Sequence, residues 1–203
     1  MKNLIKNHFV YQWWKYLAVV IVAVVFWVYL FNTLARPQSN EQIKITFVGN
    51  DFNNTLLKDD IKVNLNTLQG NQNIKEIGVE CFYSEDAYTL STVLSTRVTS
   101  DTDFVIIKEN QLKDFDIPAF FVELSESDVT QNFGNVPTYS REGKLYGIQL
   151  NSDTFAKYYQ GKENCYAFIT SVSENFGGTN GKGSPADKVC VNLINYLVWG
   201  EAK

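Results

Sequence analysis

From Tyr16 to Ala35 the chain runs through 20 consecutive residues without a charge, and this stretch constrains every later reading. As an α-helix it extends about 30 Å at roughly 1.5 Å per residue, the thickness of a bilayer's hydrocarbon core. Its centre, Leu17 to Phe31, is apolar on every side, whereas a surface helix of a soluble domain keeps one polar face. Trp13, Trp14 and Tyr16 stand at one end, and Trp27, Tyr29 and Phe31 approach the other. These are the interfacial positions that amphipathic rings favour. Lys2, Lys6 and Lys15 precede the segment and Arg36 closes it. The positive-inside rule therefore expects residues 1–15 as a cytoplasmic tail, 16–35 as a transmembrane signal-anchor helix in contact with lipid, and the main domain outside the cell. A cleaved signal peptide, with Thr33-Leu34-Ala35 as a fair small-x-small site, and a buried core helix are the competing readings.

Charge divides the chain at the same place. All 22 acidic residues lie from Glu41 onward, so Pro37 to Lys203 holds 14 basic against 22 acidic residues, a net −8. Such a domain repels phosphate backbones, which argues against nucleic-acid binding. The only histidine is His8 in the tail. The outer domain therefore has no histidine for a Ser-His-Asp triad or a His-rich metal site.

Residues 36–40, Arg-Pro-Gln-Ser-Asn, read as a linker in which Pro37 stops the helix, leaving 41–203 as one extracytoplasmic domain. Gln42 to Val48 alternates as a strand does. A helix is expected from about Asn54, with Leu56, Leu57, Ile61, Leu65 and Leu68 at helical spacing and Gly70 as its stop. Ile74 to Tyr83 is a second strand. Ser84 to Asp86 can cap a helix that turns Tyr88, Leu90, Val93, Leu94 and Val98 inward. Asp103 to Ile107 is a short apolar run of the kind buried in parallel sheets. Further apolar segments are Ala119–Leu124, Lys144–Leu150 and Cys165–Val172, and a helix from Pro185 to about Trp199 ends the chain. Ser184-Pro185-Ala186-Asp187 reads as its cap, and Val189, Cys190, Leu193, Ile194 and Leu197 as its buried face. The strand–helix alternation predicts a three-layer α/β domain with a mainly parallel sheet.

No motif specifies chemistry. Gly177-Gly-Thr-Asn-Gly-Lys-Gly-Ser184 fails as a phosphate loop because Gly183 separates Lys182 from Ser184. It reads instead as a glycine-rich turn. Acidic pairs such as Asp59/Asp60, Asp101/Asp103 and Asp114/Asp116 would serve glycoside hydrolysis only across a cleft of about 5–10 Å. They fall at helix starts and in loops, where acids act as caps. Cys81, Cys165 and Cys190 are widely spaced and sit in apolar segments, so buried thiols are expected, with Cys165–Cys190 the pair if a bridge forms. No catalytic residue, metal ligand or cofactor is assigned. The dense aromatics of the outer domain suit a core, and beside carboxylates also a sugar or peptide surface.

Four pieces together resemble the first lobe of the extracellular solute-binding proteins of ABC importers, known as the periplasmic-binding-protein fold. They are Gln42–Asp51, Thr89–Arg97 followed by Ser100–Ile107, Ala119–Leu124, and Gly143-Lys-Leu-Tyr-Gly-Ile-Gln-Leu150. Gln149 stands where that family's hinge strand carries proline, no lipobox cysteine lies near the anchor, and the residues after Leu150 are short for a second lobe. The resemblance implies a one-lobed, membrane-anchored relative.

In open α/β sheets partners meet the carboxyl ends of the strands. That edge should carry Asn50, Asp51 and Phe52, then Tyr83 and Ser84, then Lys108, Glu109 and Asn110, with Gln149 and Asn151 joining them. The expectation is a non-catalytic interaction module at the bacterial cell surface, an accessory or scaffold subunit. Its partner would be another membrane protein of a transporter-like complex or a second copy. The alternatives are a receptor for a sugar or peptide and a cell-surface glycan hydrolase.

Overall fold

The computed structural model describes residues 2–35, 37, 41–69, 74–84, 86–100, 102–173 and 187–200. The chain forms two compact units, Met1–Pro37 and Gln38–Lys203. The first is one helix, α1 (Lys2–Ala35). It is long and apolar enough to cross a membrane over Trp13–Leu34, with a mean hydropathy of 2.4 and none of that stretch buried. The helix begins well before Tyr16, because residues 2–35 contain neither proline nor glycine to stop it. Near its end the Thr33 hydroxyl donates to the Tyr29 carbonyl at 2.8 Å.

The second unit runs β1 (Gln42–Val48), α2 (Asn54–Gln69), β2 (Glu76–Phe82), α3 (Ala87–Ser100) and β3 (Phe104–Lys108), followed by a 3-10 turn (Glu109–Asp114). Then come α4 (Ile117–Phe120), α5 (Glu126–Phe133), β4 (Thr138–Arg141), β5 (Lys144–Leu150), α6 (Asp153–Ala156), β6 (Cys165–Ile169) and α7 (Asp187–Trp199). Side-chain caps place several starts. Asn53 accepts from Leu56 N–H at 3.0 Å, Asp86 from Thr89 N–H at 2.8 Å, and Ser125 and Ser152 cap α5 and α6. The cap at 184–187 and the glycine-rich turn at 177–184 lie outside the described residues, apart from the backbone of Asp187.

The six strands form one sheet in the order β2-β1-β3-β6-β5-β4. β1 pairs in parallel with β2 and β3, but β3–β6, β6–β5 and β5–β4 are antiparallel. The sheet is therefore mixed, parallel only in its first half. β4 and β5 are a hairpin turned by Glu142 and Gly143, both at positive φ (54° and 79°), and such a two-residue link requires antiparallel neighbours. β6 then inserts between β3 and β5. As a result β1, β2, β3 and β5 all point the same way and share one carboxyl edge.

Helices cover both faces, as the three-layer expectation requires. Ile43, Ile45, Phe47, Phe104, Ile106, Ala167 and Ile169 pack under Leu57 and Ile61 of α2 and Val189, Leu193, Ile194 and Leu197 of α7. Val48, Val105, Ile107 and Phe168 pack under Leu90, Leu94 and Val98 of α3 and under Phe115, Ile117 and Phe121. Tyr88, expected inward, is 79% exposed. It lies two residues and so about 200° from the Leu90–Leu94–Val98 stripe. Leu56 also turns outward beside buried Leu57, while Leu65 and Leu68 have side chains outside the described residues. Cys165 and Cys190 are buried as expected, but Cys81 is exposed, because β2 is an edge strand and its end has little cover. Cys165 is a free thiol, so the Cys165–Cys190 bridge is not made.

Candidate functional site at the carboxyl edge

At the end of β1 the chain must turn within one residue while a long side chain crosses it. Gly49 meets both demands: a Cβ there would come within 3.1 Å of Lys108 Cε. The Lys108 stem crosses the glycine, and its Nζ reaches Asp51 Oδ2 at 2.9 Å. The lysine side chain is 12% exposed and the aspartate 40%, so the pair is half-shielded from water. The structure thus joins two of the predicted residues directly.

The segment between α6 and β6 then closes over this edge. Gln160 N–H donates to the Asp51 carbonyl at 2.9 Å, and Asn53 N–H donates to the Tyr158 carbonyl at 2.8 Å. Asn110 donates its amide to Glu163 Oε1 at 2.7 Å. Glu109 is held twice, its N–H donating to the Asn164 carbonyl at 2.9 Å and its carboxylate accepting the Asn164 amide at 2.8 Å. Four predicted residues, Asp51, Lys108, Glu109 and Asn110, are therefore engaged inside the domain. Sequence reasoning missed the residues that engage them, Gln160, Glu163 and Asn164. Nothing local marks those residues, because their role follows from β6 lying beside β3.

The other predicted residues divide. Asn50 and Asn151 are exposed at the edge, and Tyr83 (44% exposed) and half-buried Ser84 follow β2. Ser84 accepts from Asp86 N–H at 3.2 Å and so shapes the turn into α3. Gln149 is half-buried within the ladder, opposite Tyr166, with its N–H donating to the Pro137 carbonyl at 2.9 Å. Phe52 corrects the expectation. It is buried, stacks on Phe47 and packs beside Phe155 and Tyr158, and it bridges to Tyr159. It belongs to the core because the chain folds back under the edge immediately after Asp51.

Electrostatically the edge pairs Asp51 with Lys108, and the charges of Lys108, Glu163 and Asp51 all act on Cys165. The Cys165 thiol lies within this group, and its pKa is pushed up to about 12. Burial is the main cause, with the Tyr159 hydroxyl and the Lys108 charge pulling weakly the other way. A thiol held neutral in this way is a poor nucleophile. The Tyr159 hydroxyl is likewise raised by burial and meets no acceptor at hydrogen-bond geometry. Among the described residues no three His, Cys, Asp or Glu side chains converge as metal ligands.

One member each of two acidic pairs read from the sequence has a structural role, whereas Asp116, at the start of α4, makes no side-chain cap bond. Asp60 accepts the Tyr158 hydroxyl at 2.8 Å. Asp103 is buried and accepts from Lys44 N–H at 2.9 Å. A pocket of about 450 Å³ lies elsewhere, lined by Lys44, Thr46, Gly78, Glu80, Arg97 and Thr102 among others, with Arg97 paired to Glu80. In comparisons with known proteins, no family model and no curated protein matches the chain.

Proposed function

We propose that the chain is a non-catalytic, membrane-tethered interaction subunit, with 16–35 as an uncleaved signal anchor and the α/β domain outside the cytoplasm. The observation that carries this reading is the closure of the carboxyl edge. Asp51, Lys108, Glu109 and Asn110 already bond to one another or to the 157–164 segment, which leaves little for a small solute to capture. Deep small-molecule sites bury about 70–90% of their ligand in a cleft, whereas a docking surface needs only about 800 Å² per side. Asn50, Tyr83 and Asn151 are exposed at this edge, with Ser84 half-buried beside Tyr83, and would form the rim of such a surface.

The five-residue linker, about 17 Å when fully extended, keeps the domain within reach of a neighbouring membrane protein. A transporter-like complex is the setting that the likeness to importer-associated binding proteins suggests. Protease added to intact cells should remove the domain and spare α1. Gentle-detergent purification followed by mass spectrometry should recover a stoichiometric membrane partner. A lone monomer that binds a sugar or peptide at micromolar affinity would reverse the reading in favour of a receptor.

A further inference from the structure

We propose that two copies of the domain pair through the outer edge of β2, strand against strand. β2 closes one side of the sheet and β4 the other. β4 has four residues and a register shift at Tyr139/Ser140, and short, bulged edges resist further pairing. β2 has seven residues, keeps register with β1 from Glu76 to Phe82, and contains no proline. A regular edge of this kind presents a row of unmet N–H and C=O groups. Gly49 N–H donates to the Phe82 carbonyl at 2.9 Å, so Phe82 turns its backbone groups toward β1. Alternation along the strand then turns the backbone groups of Ile77, Val79 and Cys81 away from the sheet.

Charge and length select the same pairing. A two-fold antiparallel pair that matches like faces centres on one residue of β2. Centred on Gly78, it opposes Glu76 to the partner's Glu80, and centred on Glu80 it opposes two Glu80 carboxylates. Like charges directly opposite are destabilising. Centres nearer the strand ends overlap too little of it. Centred on Val79, the midpoint of Glu76–Phe82, the whole strand overlaps. Glu80 then faces the partner's Gly78, and Glu76 faces the partner's Phe82. The two Val79 residues exchange both backbone hydrogen bonds at the axis, and Ile77 and the partner's Cys81 exchange theirs on either side of it. Continued one step, the register sets half-exposed Tyr83 against the partner's Lys75. That the one register with full overlap also avoids opposed carboxylates points to a second copy as the occupant. Anchoring in a common membrane would raise the local concentration of copies further. Apart from Tyr83 at its end, this edge is separate from the carboxyl edge, so the crosslink from Glu80→Cys is read independently of recovery or loss of the membrane partner.

Site-directed crosslinking tests the register in membranes that carry the full chain with Cys81→Ser. Single cysteines replace Glu80 or Glu76. Around Val79 the two Glu80 positions are offset by two residues, about 7 Å along the strand, and the two Glu76 positions by six, about 20 Å. A bismaleimide with a reach of about 10 Å should link Glu80→Cys at least tenfold more than Glu76→Cys. Cys81→Pro in place of Cys81→Ser removes an outward donor and should lower the Glu80→Cys crosslink at least tenfold. Cys81 is exposed and its N–H faces away from β1, so the thermal midpoint should hold. Equal linking at both positions overturns the proposal, as does no dimer at Glu80→Cys either in membranes or at micromolar concentration in mild detergent. If the proline variant does not fold, the comparison of the two positions decides alone.

Discussion

Asp103 starts the central strand pairing as a carboxylate only 5% exposed. Its Oδ2 accepts Lys44 N–H at 2.9 Å and its Oδ1 accepts the Ser173 hydroxyl at 2.8 Å. Its own N–H donates to the Lys44 carbonyl at 2.9 Å, and its carbonyl accepts Thr170 N–H at 3.0 Å. One residue thus ties β1, β3 and the end of β6 together. Asp103→Ala deletes both carboxylate bonds and takes the acceptor from the Lys44 amide. Hydrogen bonds to a charged group contribute about 1.5–3 kcal/mol each, and an orphaned buried donor costs about 1–3 kcal/mol. Because these overlap, the expected loss is about 3–5 kcal/mol. Asp103→Asn keeps an oxygen for Lys44 N–H and lets the Ser173 hydroxyl accept instead of donate, for a loss of about 1 kcal/mol. At about 2–4 °C per kcal/mol for a chain of this size, Ala should lower the midpoint by about 6–20 °C and Asn by about 2–4 °C. The assay is thermal unfolding of the full chain in mild detergent, followed by near-ultraviolet circular dichroism. Trp199 reports on the domain because its indole N–H donates to the Phe133 carbonyl at 3.0 Å, whereas Trp13, Trp14 and Trp27 lie in α1. An Asn variant as damaged as Ala, or an Ala variant that loses under about 1 kcal/mol, would refute the reasoning.

Cys165 makes stability depend on alkaline pH. Its folded pKa, about 12, lies above its ordinary value of 9.0, so the neutral thiol stabilises the fold fully below about pH 9, and that contribution is lost as pH rises toward 12. Urea midpoints should fall by up to about 1.4 kcal/mol per pH unit from this group, and Cys165→Ala should flatten the slope between pH 9 and 10; an unchanged slope would exclude the thiol as its source. Tyr158 donates its hydroxyl to Asp60 at 2.8 Å and contacts the Tyr196 hydroxyl at 3.1 Å. Tyr158→Phe should therefore destabilise by about 1–2 kcal/mol in urea unfolding, and a loss within error would mean that water replaces these bonds without cost.

The apolar run from Tyr16 to Ala35 was legible as a spanning-length helix because length and the absence of charge depend on no other part of the chain. The order β1, α2, β2, α3, β3 was equally legible, since a period of two or of about 3.6 residues records which side of an element is buried. Periodicity does not record which element lies alongside. β6 pairs with β3 through Lys108↔Cys165 and with β5 through Leu150↔Cys165, contacts that join distant parts of the chain. They turned an expected parallel sheet into a mixed one and brought the 157–164 segment over the carboxyl edge. The same non-local packing decided the site. Asp51 and Lys108 could be placed on one edge from strand order alone, but their ion pair, the burial of Phe52 and the partners of Glu109 and Asn110 required the fold. Local sequence determines the face a residue turns toward, and the tertiary structure alone decides what it meets there, because burial is a property of packed surfaces rather than of a single segment.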